Sequence, residues 1–96
     1  MEIITLNDAK SLAQKYIAKL DLGEELVILD DETLTESFGW VFFYNTKKFQ
    51  ETGDFRYMVG GNAPIIIDKK SGRLSETGTA YEISHYINEY KSRENN

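Results

Sequence analysis

The sequence predicts an α+β fold with an N-terminal helix, a four-stranded antiparallel sheet and a C-terminal helix, both helices packing on one face of the sheet. Near each end of the chain, apolar residues recur at steps of three and four, the period of an amphipathic helix. The middle of the chain, from Gly39 to Tyr81, is rich in aromatic and β-branched residues, glycines and turn formers, which is typical of strands and hairpins. We expect residues 1–96 to form one domain, because a second would be too small to bury a core.

The first helix is predicted from a stripe of apolar residues near the N-terminus. Either Thr5 or Asn7 can cap this helix, and Gly23 is expected to end it. Lysines and a glutamine lie mostly on the opposite side, as in a helix with one solvent-facing surface. The apolar positions are Ala9, Leu12, Ala13, Tyr16, Ile17 and Leu20.

Two strands are expected in the first half of the chain. The first begins at Leu26 and runs toward Glu36, and its two adjacent acids, Asp30 and Asp31, suggest a bulge or an exposed strand end. The second covers residues 40–46, whose apolar residues occupy both faces. Such a strand is either central and covered on both sides or part of an exposed patch. We expect the face formed by Trp40, Phe42 and Tyr44 to meet the helices.

The second half of the chain is expected to supply two more strands and the last helix. Residues 47–61 lack a clean period and predict a long connection with a short helical turn, while Gly60 and Gly61 allow a tight backbone. Residues 64–68 and 73–77 read as a hairpin whose turn has Gly72 at a position of positive φ. The final helix is predicted from the stripe Ile83, Tyr86, Ile87 and Tyr90.

The charge of the chain is concentrated in one segment. The net charge is −5, yet seven acidic residues and no lysine or arginine lie between Leu20 and Thr46. Nucleic-acid binding is therefore not expected, because it requires clustered basic residues. Such a segment either attracts a basic partner or is a solvated acidic edge that keeps the protein soluble.

No residue set in the sequence predicts a catalytic, cofactor or metal site. The only histidine, His85, has Glu82 and Glu89 three and four residues away, which is typical of an exposed helix surface. The acids of residues 30–32 alternate between the faces of a strand and so do not converge on a cation. Residues 60–62 lack the lysine and the spacing of a phosphate-binding loop. We expect no enzyme activity and no cofactor.

The sequence favours a cytoplasmic protein that does not bind membranes. The longest apolar runs are far shorter than the roughly 20 residues of a membrane helix. The N-terminus lacks the basic start and apolar core of a signal peptide. Cysteine is absent, so no disulfide framework is expected.

An ordered set of motifs carries a family resemblance over nearly the whole chain. The motifs are GW-x-F-x-Y (Gly39, Trp40, Phe42, Tyr44), ETGD (Glu51–Asp54), GGNAPIIID (Gly60–Asp68) and TGTAY (Thr77–Tyr81), followed by Ile83 and Tyr86. With these motifs the chain resembles the immunity protein 35 family of bacterial polymorphic toxin systems. The resemblance implies a small cytoplasmic, non-enzymatic protein that binds and neutralises a cognate protein toxin. A related branch is associated with chaperone-like behaviour, which implies an alternative: a small stress protein that binds unfolded clients.

The shared motifs indicate fold-determining residues, so we look for toxin specificity elsewhere on the surface. The acidic stretch from residue 30 to residue 36 is the best candidate, because its charge would complement a basic toxin such as a nuclease. The predicted partner-binding residues are Asp30, Asp31, Glu32, Glu36 and Phe38.

Overall fold

A computed structural model describes residues 4–20, 24–58 and 63–94 of the chain. Gly23 and residues 60–62, for which a helix stop and a tight backbone were expected, lie outside these ranges. Within them, no helix is both long and apolar enough to cross a bilayer. The elements are α1 (Leu6–Ala18), β1 (Leu26–Ile28), β2 (Leu34–Glu36), β3 (Gly39–Phe42), β4 (Tyr44–Thr46), α2 (Lys47–Thr52), β5 (Ile65–Asp68), β6 (Leu74–Glu76) and α3 (Ile83–Glu94), with 3₁₀ turns at Asp30–Glu32 and Phe55–Tyr57.

The strands confirm the predicted four-stranded antiparallel sheet and add a two-stranded one. The larger sheet has the order β2-β3-β5-β6, and the smaller sheet pairs β1 with β4. The smaller sheet arises because both predicted N-terminal strands are interrupted. The 3₁₀ turn Asp30–Glu32 separates β1 from β2, and Phe43 separates β3 from β4. The backbone amide of Leu29 donates to the carbonyl of Phe43 at 2.8 Å, which connects the two halves of this long hairpin.

Helix α1 begins at a capping box, with Thr5 rather than Asn7 as the N-cap. The Asp8 amide donates to the Thr5 hydroxyl and the Thr5 amide donates to the Asp8 carboxylate, each at 3.1 Å. These bonds satisfy backbone donors that have no partner within the helix. The helix then buries Ala9, Ala13 and Ile17, which belong to the predicted stripe.

The two long helices lie on opposite faces of the larger sheet, which corrects the expectation that both pack on one face. Helix α1 belongs to the core cluster that contains Phe42, Ile65 and Ile67. Helix α3 instead belongs to the cluster that contains Val41 and Ile66. Neighbouring residues of a strand point to opposite faces. The central strands β3 and β5 are apolar on both faces, so each face is covered by its own helix.

The face that was expected to meet the helices meets α1. Phe42 and Tyr44 are buried in the α1 cluster, and Trp40 packs against the same cluster while partly exposed. Burial raises the pKa of the Tyr44 hydroxyl. The predicted placement of these three aromatic residues on one face is therefore confirmed, although only α1 covers that face.

The hairpin between β5 and β6 has the predicted turn. Gly72 adopts a φ of 71°, and its amide donates to the carbonyl of Asp68 at 2.8 Å. The Asp68 side chain accepts bonds from the amides of Lys70 at 2.8 Å and Ser71 at 3.1 Å, as in an Asx turn. Its other carboxylate oxygen accepts a bond of 2.9 Å from the Tyr90 hydroxyl, so the turn is also tied to α3.

The connection after β4 contains the short helical turn that the sequence predicts. Thr46 caps α2 by accepting a bond of 3.0 Å from the amide of Phe49. The same hydroxyl donates to the carbonyl of Tyr57 at 2.6 Å. Thr46 is buried, so it fixes α2 and the following 3₁₀ turn against the smaller sheet.

Candidate functional site

The predicted interface residue Asp30 is exposed, but it is already paired within the protein. Its carboxylate lies 2.7 Å from the Lys10 ammonium on α1. Lys10 also donates a hydrogen bond of 2.9 Å to the same group. This pair joins the 3₁₀ turn to α1, and it compensates the charge that Asp30 would otherwise offer to a partner.

Glu36 is likewise paired, and it lies at a different place on the molecule. Its carboxylate is 3.1 Å from the Lys91 ammonium on α3, and only 22% of its side chain is exposed. The pair joins β2, an edge strand of the larger sheet, to the last helix. Glu36 therefore serves the docking of α3 more directly than it serves an external partner.

Phe38 lies in the core rather than on the surface. It is 7% exposed and belongs to the cluster beneath α3. Its ring centroid lies 4.5 Å from that of Tyr90. Its place beside the acidic stretch suggested an exposed aromatic residue, but the turn before β3 directs the ring under the helix. Phe38 is therefore not accessible to a partner in the folded protein.

Asp31 and Glu32 are the two predicted residues that remain exposed without a partner among the described residues. Both lie on the 3₁₀ turn Asp30–Glu32 and border a shallow depression toward α2. Glu32 also borders an adjoining groove of about 300 Å³ whose walls are mainly apolar. The residues around that groove include Leu29, Phe43, Phe49, Met58 and Pro64.

Exposed apolar side chains continue this surface beyond the acids. Phe55 is 78% exposed and Met58 is 49% exposed. The Phe55 ring lies 5.9 Å from the ring of Phe49, which borders both the depression and the groove. We refer to Asp31, Glu32, Phe49, Phe55 and Met58 as the acidic–aromatic surface.

The sequence identified the acidic part of this surface and missed its aromatic part. Phe49, Phe55 and Met58 occupy a segment without helical or strand period, so no pattern assigned them to a face. One signal was available: apolar residues in an irregular, largely polar segment are either packed against the core or exposed for a partner.

A short-range ion pair stabilises the loop that presents Phe55. Asp54 caps the 3₁₀ turn by accepting a bond of 2.9 Å from the Arg56 amide. The Arg56 guanidinium lies 2.6 Å from the same carboxylate. This guanidinium, together with the amide, lowers the pKa of Asp54.

His85, the histidine considered as a catalytic candidate, lies on an exposed helix surface. His85 stacks against Tyr81 with ring centroids 4.2 Å apart and lies 3.6 Å from Glu89 on the exposed side of α3. Among the side chains described in residues 4–20, 24–58 and 63–93, no three histidine or acidic groups are placed together as metal ligands would be. The arrangement with the clearest binding chemistry is thus the acidic–aromatic surface.

Comparison of the sequence with known protein families identifies the family of this chain. The sequence profile of the family described as immunity protein 35 matches residues 7–88. The chain belongs to the immunity protein 35 family. Proteins of this family are in general non-enzymatic and act through a protein partner. The match begins at the second residue of α1 and ends inside α3, so it covers both sheets and α2 in full.

The immunity protein 35 member described here also has a relative in Escherichia coli (strain K12). It is 38% identical over 91 residues to a protein named "Uncharacterized protein YrhB", covering 93% of this chain and 90% of that protein. No solved structure matches the chain significantly.

Proposed function

We propose that this member of the immunity protein 35 family is a cytoplasmic, non-enzymatic protein that binds and neutralises a cognate toxin of a bacterial polymorphic toxin system. Family membership over residues 7–88 supports the general class of function. The observation that carries the proposal in this chain is the acidic–aromatic surface, because it combines exposed apolar anchors with uncompensated negative charge.

The composition of this surface fits a stable protein–protein contact. Aromatic residues and methionine are enriched where interfaces bury their central area, and a few such anchors supply most of the binding free energy. Most of the Phe55 side chain is exposed to solvent, so its burial against a partner would contribute the most favourable free energy among these residues. Phe49 supports its ring from one side, so the anchor is partly ordered before binding.

The acids of this surface specify a partner with complementary charge. Asp31 and Glu32 are exposed beside the apolar groove and lack a partner in the described residues. Opposite charges at the edge of an interface accelerate encounter and orient the partner. The proposed toxin therefore presents basic residues around an apolar recess that accepts Phe55.

Co-expression tests the proposed function directly. The product of the gene directly upstream is expressed in a bacterial host with and without this protein. Neutralisation predicts that growth is restored and that the two purified proteins form a complex of fixed stoichiometry by calorimetry. Loss of growth in both cultures, together with absence of a complex, would contradict the proposal.

The chaperone-like alternative has one observation in its favour. Phe55 and Met58 are exposed apolar side chains, which also suit binding to unfolded clients. The alternative predicts that the protein suppresses thermal aggregation of unrelated proteins and that Phe55→Ser weakens this effect. Toxin neutralisation predicts instead a saturable complex with one folded partner and no protection of unrelated proteins.

A further inference from the structure

A second recess lies apart from the acidic–aromatic surface, where the β5–β6 hairpin meets the C-terminal end of α3. Its volume is about 260 Å³. Unlike the acidic–aromatic surface, it is bordered by polar and basic side chains. They are Asp68, Ser71, Arg73, Ser75, Tyr90 and Arg93.

Two arginines face this recess without an acidic partner. Among the side chains described in residues 4–20, 24–58 and 63–93, no carboxylate lies within ion-pair distance of the Arg73 or Arg93 guanidinium. Arg93 lies over the Tyr90 ring, with its guanidinium carbon 5.5 Å from the ring centroid. That contact favours a position of the guanidinium beside the recess while leaving its hydrogen-bond donors available.

Among the lining side chains that the structure describes, Asp68 is the one carboxylate, and hydrogen bonds within the fold hold it in place. Asp68 is only 8% exposed. It accepts bonds from the Lys70 amide, the Ser71 amide and the Tyr90 hydroxyl, at 2.8, 3.1 and 2.9 Å. These donors stabilise its charge in place, so the outward-facing groups of the recess are mainly donors.

The serines add neutral donors between the arginines. The Ser71 hydroxyl oxygen accepts a bond of 3.1 Å from the Arg73 amide, and its own proton remains available to donate. Ser75 on β6 borders the same space.

We propose that this recess binds a phosphate group, either as inorganic phosphate or as part of a small phosphorylated molecule. A phosphate presents several acceptor oxygens in a tetrahedral arrangement, so it can engage both guanidiniums and a serine hydroxyl at once. Guanidinium groups match this geometry with paired hydrogen bonds. The inference rests on the recess alone and is independent of toxin binding.

Titration of the full chain with inorganic phosphate, followed by amide NMR at constant ionic strength, tests this site. We expect saturable shifts at residues 69–75 and 90–93. Arg73→Gln and Arg93→Gln should each weaken the phosphate affinity by about tenfold, since each removes a charge-assisted hydrogen-bond donor. Lys70→Gln, which removes a nearby charge outside the recess, should change the affinity less than about twofold.

A parallel titration with a phosphomonoester, O-phosphoserine, separates the two sources of the ligand. Tighter binding of the ester would identify the ligand as a phosphorylated small molecule, whereas tighter binding of phosphate would identify it as the free ion. Both outcomes support the site. Arg73→Lys keeps the charge and should bind with intermediate affinity. The proposal is overturned if the shifts do not saturate, or if Lys70→Gln weakens binding as much as Arg73→Gln while all variants retain the wild-type Tm.

Discussion

Gly39 begins β3 at a φ of 152°, a conformation that residues with a side chain rarely adopt. A Cβ at this position would overlap the carbonyl oxygen of Ile67 on β5 and would lie 2.9 Å from the amide of Lys69. Both obstacles are backbone atoms, so a rotamer change in a neighbour does not relieve them. The close approach of β3 and β5 therefore depends on the absence of a side chain at this residue.

We predict that Gly39→Ala lowers the free energy of unfolding by about 2–4 kcal/mol, because it adds backbone strain and displaces a central strand. Gly53→Ala is the matched control. Gly53 also has a positive φ, 70°, but a Cβ added there would have no atom within 4 Å. The control should lower the free energy of unfolding by about 1 kcal/mol, because it places a residue with a Cβ in the left-handed conformation. Equal urea midpoints for the two variants would contradict this account of Gly39.

Asp54 links stability to pH through its contacts with Arg56. These contacts lower the pKa of Asp54 in the folded state. A carboxyl group with a lowered folded-state pKa stabilises the fold above its unfolded-state pKa, and this stabilisation is lost as pH falls through the folded-state pKa. Both side chains are near the surface, so salt screens the effect.

We therefore predict that Asp54→Asn reduces the loss of stability on acidification below about pH 4, where aspartate begins to protonate. The measurement compares the Tm of the wild type and the variant from pH 6 to pH 2 at low salt. Identical pH profiles would show that the Asp54–Arg56 contact does not contribute to stability.

Among the elements of the fold, β5 joins the two hydrophobic clusters, one on each face of the larger sheet. Its three consecutive isoleucines are nearly inaccessible to solvent. Ile65 and Ile67 pack with α1, and Ile66 packs with α3. A run of apolar residues predicts a strand that is buried on both faces, but it does not reveal which helix packs on which face. The strands were therefore predicted correctly, whereas the placement of the two helices on opposite faces was not.

We predict that Ile66→Ala weakens the docking of α3 selectively. Loss of buried methyl groups at such a site costs about 2–5 kcal/mol. Hydrogen exchange should accelerate more at the amides of α3 than at those of α1, whereas Ile67→Ala should reverse that order because Ile67 packs with α1. The same pattern of acceleration in both variants would contradict separate docking of the helices.

The elements that form the acidic–aromatic surface were harder to predict than the helices. Helix α2 has only six residues and no regular apolar stripe. Its N-cap and its C-cap, Gly53, are therefore recognised from the structure and not from the sequence pattern. The interruption at Phe43 is hidden by a continuous aromatic run, GWVFFYN. Long-range pairs such as Lys10 with Asp30 join residues that no local pattern connects.

At the scale of the whole molecule, the excess of acid between Leu20 and Thr46 is partly compensated by residues outside that segment. Lys10 pairs with Asp30 and Lys91 pairs with Glu36. Lys47 and Lys48 also lie 3.9 Å from Glu25 and Glu24. Among the acids described in residues 24–46, the unpaired negative charge is therefore concentrated at Asp31 and Glu32. This reduction depends on tertiary contacts and is not visible in a count of charges.

We predict that the double variant Asp31→Lys/Glu32→Lys slows association with the proposed toxin partner by about tenfold at low salt, because it reverses the field that steers encounter. Raising the ionic strength should narrow the difference from the wild type. Glu76→Lys, at an exposed position on β6, is the control and should have little effect. A stopped-flow series in salt measures the rates, and equal rates for the two variants would contradict the role of these acids.

We propose that the acidic–aromatic surface carries toxin binding, and the toxin affinity of Phe55→Ser measures the contribution of its most exposed anchor. Tyr81→Ser removes an aromatic residue that is 64% exposed outside this surface, so it controls for the loss of exposed apolar area. Calorimetry should show that Phe55→Ser weakens the complex about thirtyfold, as expected for an anchor that contributes about 2 kcal/mol. Tyr81→Ser should leave the affinity within about twofold of the wild type, as expected for a residue outside the contact. Unchanged affinity in Phe55→Ser would contradict the claim.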